Sequence, residues 1–146
     1  MDDDQPIKSY MDLDIWNVSV ALAGTCYRLT KEIPRSELFG MTSQIRRSST
    51  SIPTNIADGY GRIQIGQFIQ FLRIAQGSVR ELETHFVTAQ EVDWLGTEEA
   101  AGPKADVIVF AECFARSFSH SKSATRRKAE SATYHLPLTT YAFAPR

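Results

Sequence analysis

Phe68, Leu72, Ala75, Val79, Leu82, Phe86 and Ala89 follow one another at alternating steps of four and three. Over seven positions this spacing puts every one of these side chains on a single stripe of an α-helix, the seam by which a helix packs lengthwise against near-parallel neighbours. A β-strand alternates its faces every second residue and has no use for such a pattern. A long third helix is therefore the strongest constraint on the fold, and its apolar stripe needs other helices to cover it.

The rest of the chain supplies three. Residues 10–33 place Leu13, Trp16, Val20, Ala23 and Tyr27 at steps of three and four, which predicts a first helix with these side chains on its packed face and Pro34 as its stop. Residues 35–40 read as a connector in which Ser36 caps a short turn, and Thr42 or Ser43 opens a second helix that runs to about Gly59. Asp58-Gly59-Tyr60-Gly61 is expected to end it with a glycine in the left-handed conformation. After Trp94-Leu95-Gly96, Thr97 with Glu98 and Glu99 suits a fourth start, since acids favour the positive end of a helix dipole. Val107, Phe110, Phe114 and Phe118 share a face there, whereas Gly102-Pro103 is expected to break or restart the helix, leaving a regular part at 104–119.

No segment has the alternating, β-branched pattern of a strand, and the connections are short, so sequential helices should lie antiparallel. The expected fold is all-α: an antiparallel up-down four-helix bundle, with its second helix bent at Pro53. One domain suits 146 residues, and 42% hydrophobic residues suffice for a core without metals or disulfides. The organisation reads as an acidic arm at 1–9, the bundle at 10–119 and a basic tail at 120–146 that is disordered or loosely docked. The net charge of −1 hides this asymmetry. Residues 1–14 carry five Asp against one Lys, while 119–146 carry Lys122, Arg126, Arg127, Lys128 and Arg146 against Glu130.

The run from Val18 to Ala23 is far too short to cross a bilayer, and the acidic start has the wrong sign for a secretory signal, so no membrane association and a cytoplasmic location are expected. Cys26 and Cys113 lie on different helices with no second cysteine near either, which reads as two buried thiols rather than a zinc or disulfide framework.

Residues 45–62, "IRRSSTSIPTNIADGYGR", carry the most unusual composition. At about 100° per residue, Met41, Ile45, Ser48, Ser49, Ile52, Ile56, Gly59 and Tyr60 fall on one side, the core face, where the small residues allow a neighbouring helix to approach closely. Arg47, Ser51, Thr54, Asn55, Asp58 and Arg62 gather on the other. Asn and Asp are mediocre helix formers, and a free surface favours Glu, Lys or Ala, so this polar stripe is expected to hydrogen-bond to something. Pro53 has no N–H for the carbonyl of Ser49, a gap that Thr50, water or a neighbouring chain could fill.

Four stretches, "LDIWNVSVAL…YRLTKEIP", "GMTSQIRRSSTSIPTNIADGYGR", "QFIQFLRIAQGSVRELE" and "AQEVDWL", resemble in order the motifs of the bacterial four-helix-bundle proteins encoded in 23S ribosomal RNA intervening sequences. The resemblance covers about residues 10–96, with Gln44, Arg46, Arg47, Ser51, Ile52, Pro53, Asn55, Ile56, Ala57, Gly59 and Arg62 in register in the middle block. It implies an antiparallel bundle assembled as a ring-like homopentamer, with no established enzymatic activity. A more distant similarity, to the accessory protein of diversity-generating retroelements, implies an assembly or nucleic-acid-linked role by analogy. The family commonly carries a basic cluster after the Gly-aromatic-Gly turn, where this chain has Ile63, Gln64, Ile65, Gly66 and Gln67.

Catalytic signatures are missing from the sequence. His85, His120 and His135 lack the Glu three residues upstream that a bundle di-metal site uses, and there is no P-loop, nucleophile elbow or dinucleotide fingerprint. His85 follows Glu81 by one turn, a spacing that suits an ion pair or hydrogen bond. The sequence thus points to a non-enzymatic protein with no cofactor. Its first function reading is a homo-oligomeric interaction module in which Arg46, Arg47, Ser51, Asn55, Asp58 and Arg62 join copies or seat an unidentified protein. The alternative is an RNA- or DNA-binding accessory protein using Arg46, Arg47, Arg62 and the basic tail. A third, an enzyme or small-ligand protein, would need a pocket lined by Ser49, Asn55 and Asp58.

Overall fold

The predicted third helix forms as α3, Ile65–Glu91, and its stripe decides how everything else is placed. Leu72, Ala75, Val79, Leu82, Phe86 and Ala89 are buried, with Ser78 beside them, and Phe68 packs half-buried at the edge of the core. The structure is a computed structural model that describes residues 7–62 and 64–133, with side chains through residue 123. Three further helices complete an all-α fold: α1, Asp14–Leu29; α2, Met41–Tyr60; and α4, Thr97–Thr133. Short 3-10 turns precede α1 and α2 at Tyr10–Asp12 and Arg35–Glu37. Residues 1–6 of the acidic arm, Ile63 and residues 134–146 of the tail lie outside the described residues.

Consecutive helices pack together and α4 returns to α1. This is the four-sided cross-section of a bundle around one core. Arg47 meets Glu81, Ser51 meets Ser78, and Gly59 lies against Phe68 and Phe71, so α2 and α3 run in opposite directions. The α1–α2 and α3–α4 connections consequently share one end of the molecule.

The core face of α2 matches the helical-wheel expectation. Ile45, Ser48, Ser49, Ile52, Ile56 and Gly59 are buried, and Met41 and Tyr60 half-buried. The buried hydroxyls are satisfied within the helix: Ser48 donates to the Gln44 carbonyl at 2.9 Å and Ser49 to that of Arg46 at 3.0 Å. Bonds of this kind let a small polar residue sit at a packed seam without an orphaned donor.

Several expectations need correction. The buried face of α1 is Ile15, Ser19, Leu22, Ala23, Cys26 and Leu29, whereas Val20 and Tyr27 are 41% and 45% exposed. Ser19 reaches that face because its hydroxyl donates to the Trp16 carbonyl at 2.6 Å, which removes the penalty of burying it. Gly102-Pro103 does not interrupt α4, which begins at Thr97 and continues past residue 119 to Thr133. Pro103 is buried and leads the run Val107, Phe110, Phe114 by steps of four, three and four, so its ring serves as a core side chain and offsets the lost N–H. No described glycine has positive φ; Gly61 ends α2 in a right-handed conformation, and the left-handed residue is Asp93, with φ 55°, after α3. Pro53 lies inside α2 without ending it, and the Thr50 hydroxyl donates to the carbonyls of Arg46 and Arg47 rather than to that of Ser49.

Gly59 is needed for close approach. A Cβ there would stand 2.6 Å from the Phe71 Cβ and 3.1 Å from Phe68 Cδ2, whereas a Cβ on Gly77, mid-way along α3, would meet nothing within 4 Å. Gly59→Ala should therefore destabilise the fold by about 1–3 kcal/mol. Gly77→Ala should stabilise it by up to about 1 kcal/mol through helix propensity. Urea denaturation of the two variants checks both signs.

Candidate functional site

The polar stripe of α2 is turned along the α2–α3 seam, and most of it is already engaged there. Arg47 pairs with Glu81 of α3 and also donates to the Gln44 side chain at 3.0 and 3.1 Å. Ser51 and Ser78 share a hydrogen bond of 3.0 Å across the seam. Asn55 donates its amide to the Ser51 carbonyl at 2.8 Å and to the Ser51 hydroxyl at 3.0 Å. The excess of Asn, Ser and Arg over ordinary helix-surface residues therefore has an intramolecular cause: Arg47 and Ser51 tie α2 to α3, and Asn55, bonded within α2, holds the Ser51 hydroxyl in place. Asp58 is exposed and makes no hydrogen bond or ion pair among the described residues.

The arginines do not converge. Arg46 points to the other side of α2, where its Nε donates to the Thr30 hydroxyl at 2.9 Å and its guanidinium lies 4.9 Å from the centre of the Tyr27 ring. Arg62 sits over Phe71 at 5.0 Å, near the opposite end of the helix. At 1.5 Å per residue, Arg46 stands about 21 Å along the axis from Tyr60, the last residue of α2, and Arg62 lies beyond it. Nor do Ser49, Asn55 and Asp58 line one pocket: Ser49 is buried in the core, Asn55 half-buried on the α3 seam and Asp58 in solvent. His85 Nε2 is 3.6 Å from a carboxylate oxygen of Glu81, close to it but without a hydrogen bond, and this buried nitrogen has no hydrogen-bond partner among the described residues.

A different feature emerges beside Arg46. An open groove of about 470 Å³ runs between the end of α1, the connector and the start of α2, lined by Tyr27, Leu38, Phe39, Thr42, Ser43, Arg46, Arg47 and Thr50. Phe39 is 90% exposed, Leu38 49% and Tyr27 45%. Two consecutive large apolar residues are thus held in water at this helix connection. From the sequence, residues 35–40 are a connector; the signal for this exposed surface is the Leu38-Phe39 pair standing outside any helical period.

A match to a protein-family model, the 23S rRNA-intervening sequence protein, extends over residues 11–110. The chain belongs to that family. The matched region takes in α1, α2, α3 and the first part of α4, and so contains both the stripe and the groove. Among solved structures it is similar to a protein of unknown function from the S23 ribosomal protein family of Bacteroides thetaiotaomicron. That likeness has a TM-score of 0.65 at 23% identity and covers 71% of this chain and 97% of that one, which speaks to the fold alone. No curated protein matches the chain. Among the described residues, no group of three or more His, Cys, Asp or Glu is arranged to hold a metal, and no helix is long and apolar enough to cross a membrane.

Cys26 is buried in the core, and burial pushes its thiol from 9.0 up to about 12, with the negative charge of Asp106 adding to the effect. At neutral pH it is a protonated packing group rather than a nucleophile. The fold favours the neutral thiol, while the unfolded chain ionises from about pH 9 upward, so the native state holds the extra proton. Stability should be level below about pH 9 and then fall toward about pH 12 by about 1.4 kcal/mol per pH unit. Comparing the alkaline denaturation of the wild type with Cys26→Ala isolates this contribution.

The two kinds of seam contact should also separate energetically. Ser51→Ala removes a part-buried bond and should cost about 1 kcal/mol. Arg47 and Glu81 have side chains 64% and 38% exposed, so a double-mutant cycle on them should give a coupling below about 1 kcal/mol that shrinks with added salt.

Proposed function

We propose that this protein is a non-enzymatic homo-oligomeric four-helix-bundle protein that acts in the cytoplasm as an assembly or interaction module. A ring-like homopentamer is the form its family resemblance implies. The observation that carries this reading is Phe39, 90% exposed at the wall of the groove that Tyr27, Leu38, Arg46 and Arg47 also line. Aromatic residues ringed by arginine are what protein interfaces concentrate, because they bury large area at little entropic cost and exclude water from the charged rim. Arg46 remains part of the candidate interface from this side. Ser51 contributes by fixing α2 against α3, with Asn55 bonded to it within α2, and Asp58 and Arg62 stand at the opposite end of the stripe.

Nucleic-acid binding ranks second. Binding by counterion release grows with the number of phosphates neutralised together. Arg46 and Arg47 instead diverge to different sides of α2 and Arg62 lies beyond its far end, each already held by Tyr27 and Thr30, by Glu81, or by Phe71.

Light scattering on the purified chain tests the reading. A discrete oligomer at micromolar concentration is expected, and a monomer at tens of micromolar would contradict it. Binding of a mixed-sequence RNA that persists at low salt and falls steeply as salt rises, by a monomeric chain, would instead favour the second reading.

A further inference from the structure

We infer that the partner of the Phe39 groove is the opposite corner of the same bundle end, presented by a second copy of this chain. This rests on the homo-oligomer reading and names the two surfaces that meet. Because α2 and α3 are antiparallel, the α1–α2 and α3–α4 connections lie at one end, on opposite sides of a four-sided cross-section.

The two corners differ in charge. Around the aromatic corner stand Arg28, Lys31 and Arg35, all exposed, and these three carry its unpaired positive charge; in the groove Arg47 is already paired with Glu81, and Arg46 is held by Thr30 and Tyr27. Of the acids there, Glu32 is exposed and Glu37 turns back to accept the Met41 N–H at 3.2 Å. Across the end, the chain between Gln90 and Pro103 carries Glu91, Asp93, Glu98 and Glu99, against which stands one cation, Lys104, whose ammonium donates to the Gln90 side chain at 2.9 Å. All four acids are exposed, and none makes an ion pair among the described residues. Val92, 45% exposed, supplies an apolar element in their midst.

A basic, aromatic surface and an acidic one of similar position are thus built into each copy with no use for one another inside it. Joined between copies they attract, and the like corners repel, which excludes a two-fold pairing of aromatic corner on aromatic corner.

Charge-swap variants test this by light scattering and analytical ultracentrifugation, with circular dichroism to confirm unchanged helix content. Phe39→Ser should weaken association at least about tenfold, as a central aromatic contact does. The pair Lys31→Glu with Arg35→Glu should weaken it about tenfold or more, and so should Glu98→Lys with Glu99→Lys. Combining all four charge reversals in one chain should restore assembly. Wild-type oligomers that survive each of these variants unchanged would overturn the corner assignment while leaving the homo-oligomer reading in place. Loss of assembly that the combined reversal fails to rescue would overturn the charge pairing. A monomeric wild type would overturn both.

Discussion

The close approach of α2 to α3 is the constraint on which the rest of the molecule depends. With Gly59 set directly against Phe71, the two helices are held at a separation that no larger residue permits. That separation is what brings Ser51 within 3.0 Å of Ser78 and Arg47 onto Glu81. The seam carries few large apolar side chains on its outer edge, and hydrogen bonds substitute for them. Small and polar residues at a helix interface are costly when unpaired and specifying when paired, since only one register satisfies them all. The composition of residues 45–62 is therefore chiefly a device for fixing register between two antiparallel helices.

This alters where function is sought. Before the fold was known, the polar stripe of α2 was the natural binding face. In the folded chain its central members are committed to α3, and the unsatisfied surface has moved one face round, to the groove where Arg46 meets Tyr27 and where Leu38 and Phe39 are held in water. Arg46 and Arg47 are adjacent in sequence yet serve different neighbours, α1 and α3, because consecutive helical residues diverge by about 100°.

The sequence made the four helices, the core face of α2, the long seam of α3 and the burial of both cysteines legible, since each rests on a strong period or on a residue type that seldom sits in water. It misplaced the face of α1. There the apolar residues Val20 and Tyr27 lie outside the core while Ser19 lies within it, and a count of apolar positions cannot see the hydroxyl bond that makes the difference. Pro103 was misread for a related reason: a proline is a breaker by its backbone and a core residue by its ring, and here the ring prevails. In the site, the seam partners Glu81 and Ser78 were present in the sequence, but their meeting with Arg47 and Ser51 is a tertiary fact that no local pattern contains.

Hydrogen exchange followed by mass spectrometry, compared between a concentrated sample and one diluted to monomer, tests the central claim most directly. If the α2–α3 seam is internal and the aromatic corner is the assembly surface, amides at 51–62 and 66–82 exchange alike in both samples, while those at 35–41 and 91–99 gain protection on assembly. Concentration-dependent protection confined to 51–62 and 66–82, with none at 35–41, would contradict it and return the polar stripe to the interface.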